Sequence, residues 1–217
     1  MLNRLASFST AQLKNINLEK DQLLAQGAML GFSCALAAFF LLSLNRFTAP
    51  IIQANDAERT LSMMSEVIPD ASIDPQLLDS EVSFEYDGMH YQLIELGDDK
   101  SRIQYQIYTS ELPGYSGNIR FIVGVTFDGV ITNVRVISHT ETPGLGDKIE
   151  LAKSDWVTNF NQRSLANTAI WKVKKDGGEF EQFSGATITP RAVVKGVHNT
   201  LKAQHFFNQN KEDALHE

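Results

Sequence analysis

Cysteine is almost absent from the 217-residue chain, which holds only Cys34, inside an apolar run. A single thiol excludes a disulfide framework, a CxxC redox pair and a thiolate metal cluster, so any redox role must rest on a borrowed cofactor. Positive charge is also in short supply, with 19 Lys and Arg against 26 Asp and Glu and a net charge of −7. An acidic chain of this kind has no electrostatic footprint for nucleic acid. No GxGxxG follows a strand-like run, which removes support for nicotinamide binding of the Rossmann kind, and the nucleophile elbow GxSxG is missing. His198 and His205 stand seven apart without a third ligand at metal spacing, so no metal site is expected. There is no repeat of fixed period and no low-complexity tract.

One long hydrophobic run is present. Residues 23–44, LLAQGAMLGFSCALAAFFLLSL, carry no charge, and a helix of that length spans about 33 Å against roughly 30 Å of bilayer hydrocarbon. The run is too long for a signal-peptide core, and no A-x-A-like cleavage site follows it. Arg4, Lys14 and Lys20 precede the span, whereas only Arg46 and Arg59 follow it nearby. This asymmetry places residues 1–22 in the cytoplasm and the main domain outside it. The rest of the chain is long enough for one soluble domain with an adequate core.

Beyond the span, residues 45–81 read as a juxtamembrane helix and linker. The helix covers 47–68, is interrupted by Pro50 and closed by Pro69, and acts as a stalk. A domain follows over residues 82–210, with 211–217 as a C-terminal tail. Two β-rich runs meet at Asp87-Gly88, and FIVGVTF and VITNVRVISH meet at Asp128-Gly129, a dipeptide suited to a type I′ turn. A helix is expected from Lys148 to Phe160 with Asp147 as its N-cap. Residues 169–183 read as a hairpin turning at Asp176-Gly177-Gly178. A last helix, from Pro190 to Gln209, sets Val193, Val194, Val197, Leu201 and Phe206 near helical spacing, to pack on the sheet. Strands and helices mixed in this order, with hairpins prominent, indicate an α+β fold. Trp156 and Trp171 read as core, and Tyr115, beside two glycines, as the exposed aromatic.

The final strand-like run leads into Ser184-Gly185-Ala186-Thr187-Ile188-Thr189, followed by Pro190. Thr189 is placed as an N-cap, with Pro190 at the first helical position. The N–H groups of that turn and the helix dipole favour an anion, so a phosphate on the Thr189 hydroxyl would lie in a prepared field.

This hexapeptide closely resembles the S/T-G-A-T-x-T/S flavinylation motif of the FMN-binding domain family. That family includes the G subunit of the Rnf (Rsx) ion-translocating electron-transport complex and the C subunit of the sodium-translocating NADH:quinone reductase. Two further segments resemble family motifs in the same order: Gly114-Tyr115-Ser116-Gly117-Asn118-Ile119, and His139-Thr140-Glu141-Thr142-Pro143-Gly144-Leu145-Gly146. The family commonly has an Asp three residues before the first Ser or Thr of the motif, a place held here by Glu181.

The resemblance implies covalent FMN, joined through its phosphate to Thr189 by a flavin transferase that takes FMN from FAD and releases AMP. It implies a cofactor site formed by Ser184, Gly185, Ala186, Thr187 and Thr189 together with Tyr115, Glu141, Thr142, Gly144 and Leu145. Two roles stay open for Thr187, a donor to the phosphate or a turn residue. Three stay open for Glu141: orienting its loop, approaching the flavin ring, or standing solvated. His139 reads as a structural histidine at a strand end.

The implied protein is a redox-carrier subunit of an oxidoreductase (translocase) complex. It is a single-pass inner-membrane protein whose main domain is periplasmic, partnered by the other Rnf/Rsx subunits. The layout favours the G subunit, with the quinone-reductase C subunit as the alternative within the family. From other classes, a membrane-anchored hydrolase would need Ser184, His139 and Asp147 as a triad, and a cofactor-free assembly subunit would need none of these motifs.

Overall fold

The computed structural model describes residues 2–216 apart from 70, 72, 74, 100 and 101. Side chains are described from Leu24 onward, outside 50–51, 53–57, 75, 78–79, 98–99, 102 and 212–216. The side chains of Arg4, Lys14 and Lys20 and of the tail beyond Lys211 therefore lie outside the described residues. Two compact units are present, Met1–Asp56 and Ala57–Glu217.

Helix α1 spans Leu2–Val67. Within the first unit it contains one stretch, Leu24–Ala49, long and apolar enough to cross a membrane, and none of that stretch is buried. The expected interruption at Pro50 is not seen, because the helix runs through it. A proline deletes one bond of the intrahelical ladder, and the many bonds on either side of it are made cooperatively.

The second unit is built on five antiparallel strands in sequential order: β1 (Val82–Tyr86), β2 (Met89–Asp99), β3 (Arg102–Pro113), β4 (Asn118–Thr126) and β5 (Ile131–Ser138). Alternation along each strand divides the apolar residues between two faces. Tyr91, Leu93, Tyr108, Phe121 and Val123 point into the larger core, with Val193, Val194, Val197 and Leu201 of α2 (Ile188–His216). Ile94, Leu96, Ile107 and Ile122 point the other way, onto Met64, Val67 and Ile68. The stretch expected to be a stalk thus ends with its last turn buried on the sheet. Gly124 permits that approach, since a Cβ there would sit 2.5 Å from the Val67 carbonyl oxygen, which also accepts the Thr132 hydroxyl.

The Asp87-Gly88 turn forms as expected, with both residues at positive φ (51° and 71°). At Asp128-Gly129 only the glycine is left-handed, with φ 84°, and the loop closes through Thr126 N–H to Val130 O at 2.8 Å. This is a longer hairpin connection with a left-handed glycine, not a type I′ turn. The expected helix 148–160 is replaced by two short 3₁₀ turns, Asp147–Ile149 and Asp155–Phe160. Ser154 breaks the run in extended geometry and accepts the Trp156 N–H at 3.1 Å as a cap. Asp147 lies inside the first turn, behind Gly146.

Residues 169–183 form no strand ladder. One isolated bridge pairs Val173 with Phe180 around a 3₁₀ turn, Lys174–Asp176, that ends at Gly177, and another joins Phe183 to Ala186. Trp156 and Trp171 are buried as expected, and Phe160 and Phe180 lie among them.

Helix α2 also carries an amide network. Gln204 Nε2 donates to Gln106 Oε1 at 2.9 Å and to the Thr126 carbonyl at 2.8 Å. His198 lies flat on Trp171, with centroids 5.2 Å apart and planes at 3°. Burial, and secondarily the Lys202 charge, pull its pKa below the ordinary 6.5. The unfolded chain therefore binds the His198 proton at higher pH than the folded one, and folding stability falls as pH drops below 6.5 until the folded imidazole also titrates. Melting curves across that window should show a steeper acid-side loss for the wild type than for His198→Phe. Identical curves would rule this contribution out.

Candidate functional site

Three loops at one end of the sheet come together. Residues 114–117 join β3 to β4, residues 139–146 leave β5, and residues 184–187 lead into α2. Glu141 ties them. Its carboxylate is buried at 4% exposure, and Oε1 accepts the Tyr115 N–H at 2.8 Å and the Ser116 N–H at 3.0 Å. Oε2 accepts the hydroxyl of Thr189. Of the three roles left open by the sequence, the solvated one is excluded and the orienting one is observed.

His139 supports this arrangement from behind. Its Nδ1 accepts the Glu141 N–H at 3.0 Å, so the ring proton lies on Nε2, which donates to Glu150 Oε1 at 2.6 Å. Both nitrogens are engaged, as a structural histidine's should be. A Ser184–His139–Asp147 triad is not assembled: His139 faces Glu150, and Asp147 Oδ1 has no hydrogen-bond partner among the described residues.

The glycines keep the carboxylate's surroundings clear. A Cβ on Gly114 would sit 2.4 Å from Glu141 Oε1, and one on Gly146 would sit 2.9 Å from both Glu141 Oε2 and Thr189 Oγ1. Gly146 N–H and Leu145 N–H both bond to the Thr142 carbonyl, at 3.0 and 3.1 Å, which closes the loop into a compact turn.

Thr189 is not the N-cap. The first α-helical bond runs from Arg191 N–H to Thr187 O at 3.2 Å, so Thr187 holds the cap place and Thr189 lies in the first turn of α2. Pro190 is tolerated there because the N–H groups of a first turn have no intrahelical acceptor in any case. The shift turns the Thr189 hydroxyl inward onto Glu141, and the residue is only 1% exposed.

Above this pair lies a cleft of about 210 Å³, lined by Tyr115, Glu141, Thr142, Leu145 and Gly146 and by the segment Gly185–Thr189. Of the expected site residues, Ser184 and Gly144 are exposed and do not line it. Gly146 and Ile188 do line it. The sequence reading does not single them out as site residues, although both stand inside its motifs. Gly185 is left-handed with φ 81°, a conformation that lets the chain turn over the cleft without a side chain in the way.

The lining suits a flat, partly apolar molecule bearing a phosphate. Tyr115 (68% exposed), Leu145 (42%) and Ile188 (47%) offer apolar surface at the rim. Thr142 and Thr187 offer hydroxyls, and the first turn of α2 offers backbone N–H groups. No lysine or arginine lines the cleft among the described residues. Its volume is below the roughly 300–1,000 Å³ of pockets that engulf a drug-sized ligand, so a ligand as large as FMN would keep part of itself at the surface.

Residues 114–202 match the FMN-binding domain family. The chain is 39% identical over 209 residues to the G subunit of the ion-translocating oxidoreductase complex of Pseudomonas aeruginosa, covering 90% of this chain and 94% of that one. It is 40% identical over 201 residues to the same-named protein from Cereibacter sphaeroides, covering 90% and 89%. Against that of Stutzerimonas stutzeri it is 41% identical over 192 residues, covering 85% and 82%. Among solved structures, the crystal structure of Shewanella oneidensis NqrC matches at 23% identity and a TM-score of 0.46, over 65% of this chain and 72% of that one.

Proposed function

The chain belongs to the family of G subunits of the ion-translocating oxidoreductase complex, and on that premise we propose that it is an electron-transfer subunit carrying FMN esterified to Thr189. The observation that carries this reading is the single buried carboxylate, Glu141, which gathers all three motif loops and holds the Thr189 hydroxyl on the floor of the cleft.

Bound FMN supplies the electron-accepting chemistry that a chain with one cysteine and no metal-ligand cluster among its described residues does not. The protein supplies position. Thr189 would be the attachment point, and the first-turn N–H groups of α2 would meet the phosphate charge in place of a basic side chain. Gly185 and Ala186 leave room for the phosphate, and Thr187 stands at the helix cap. Tyr115, Thr142 and Leu145 would hold the ring from the loop side of the cleft, with Gly144 and Ser184 shaping the backbone just outside it. A covalent tether prevents loss of the cofactor where no free pool can replace it.

The apolar stretch Leu24–Ala49 anchors the chain in the bacterial inner membrane. The bases before it hold the N-terminus in the cytoplasm, and the FMN-binding domain, residues 82–210, stands in the periplasm. There it exchanges electrons with the other subunits of the complex, after a flavin transferase has matured it.

Full-length chain purified from membranes of cells that contain the transferase should run on a denaturing gel as a flavin-fluorescent band. Its intact mass should exceed that of the polypeptide by FMN less one water. A colourless chain of unmodified mass from such cells would overturn the reading.

A further inference from the structure

We propose that Glu141 is the base that takes the proton of the Thr189 hydroxyl when that oxygen is esterified, so that the acceptor protein supplies part of the catalysis of its own modification. The proposal rests on Thr189 being the attachment site and deepens that reading.

Three observations support it. The first is contact with the reacting atom: Thr189 Oγ1 donates to Glu141 Oε2, with Thr189 1% and Glu141 4% exposed. The second is fixed orientation. Glu141 Oε1 already accepts two backbone N–H groups, which leaves Oε2 as the oxygen with capacity for a proton. The third is the lack of a competitor within this chain, since no other carboxylate and no histidine or lysine lines the cleft among the described residues. His139 stands one step behind, with Nδ1 on the Glu141 backbone and Nε2 on Glu150.

In the step, Thr189 Oγ1 attacks the FMN-side phosphorus of FAD. The Oγ1–P bond forms, the bond from that phosphorus to the bridging oxygen breaks, and AMP leaves with the electron pair. The Thr189 proton passes to Glu141 Oε2, and no atom changes oxidation state. The product explains why a carboxyl suits this place. The ester oxygen no longer has a hydrogen to give, and the new phosphodiester carries a negative charge. An ionised Glu141 would then be a like charge at contact distance. A protonated Glu141 is neutral and donates from Oε2 toward the ester, while Oε1 keeps its bonds to Tyr115 and Ser116.

The test uses full-length chain made without the transferase, then mixed with purified transferase and FAD, with the initial rate of mass gain read by intact-mass spectrometry. Glu141→Gln should slow the reaction about 100-fold or more, the usual contribution of a positioned base. Glu141→Asp should keep an intermediate rate, and formate should restore part of the rate to Glu141→Ala. Formate rescue compares one folded sample with itself, so it is independent of any stability loss in the variant. Glu141→Gln modified at the wild-type rate would overturn the proposal, as would Glu141→Ala that is slow and indifferent to formate. A wild-type chain that gains no mass would instead overturn the attachment at Thr189, and this inference with it.

Discussion

Thr189→Ala, expressed beside the flavin transferase, is expected to carry no covalent flavin at all. On the proposed attachment the effect is all-or-none, because the ester needs a hydroxyl at one point. The nearby Thr187 sits at the helix cap and Ser184 is exposed outside the cleft, so neither can replace it above Glu141. The variant also leaves Glu141 Oε2 buried without its donor, a loss of about 1–3 kcal/mol in folding stability. A melting curve will therefore show a lower midpoint but a folded chain. Thr189→Ser, which keeps the hydroxyl, should still be modified. Fluorescence on a denaturing gel and the mass of the peptide containing Thr187 and Thr189 give the answer directly. A Thr189→Ala chain that still carries the adduct would move the attachment elsewhere.

The largest expected effect on stability is at Phe160. Its ring is fully buried, 4.8 Å from Phe180 and 5.3 Å edge-on from Trp156. Phe160→Ala should cost about 3–5 kcal/mol, a large share of the roughly 5–15 kcal/mol typical of a folded domain. At about 2–4 °C per kcal/mol for a chain of this size, the melting midpoint should fall by roughly 10 °C.

The consequence reaches the site through a short path. Trp156 Nε1 holds the Glu181 carbonyl at 2.8 Å and packs on Phe183 at 5.1 Å, and the Phe183 carbonyl accepts the Ala186 N–H at 3.2 Å. Loosening Phe160 should therefore also slow flavin attachment. A variant that melts within a degree or two of the wild type would show that this aromatic cluster is not what holds the approach to Thr189.

Much of this is legible in the sequence, for physical reasons that differ by element. The strands around Asp87-Gly88 and Asp128-Gly129 announce themselves because alternating side chains and a turn dipeptide are local signals. Strand β3 alternates through Ile103, Tyr105 and Ile107 but has no such turn dipeptide before it, and two register shifts fall at the end of β2, around Gly97, so its pairing with β2 is the less legible one. The expected helix 148–160 fails because apolar residues at helical spacing also suit consecutive 3₁₀ turns, and Ser154 decides between them by capping the second.

The motifs locate nearly the whole cleft. What they do not disclose is Glu141 as its centre, because that role depends on loops 26 and 48 residues away in the chain folding against it. Burial of Thr189 is equally invisible, since a helix beginning earlier than expected changes which way the hydroxyl faces.

The sheet is a simple meander in which each strand pairs with the one just made, so most of it can assemble from short-range contacts as the polypeptide emerges. The Glu141–Thr189 pair cannot, because Thr189 belongs to the helix that is completed last. A truncated or misdocked molecule would display its threonine without the waiting carboxylate. On the proposed chemistry, cofactor loading would then double as an inspection step, committing flavin only to copies whose two ends have found each other.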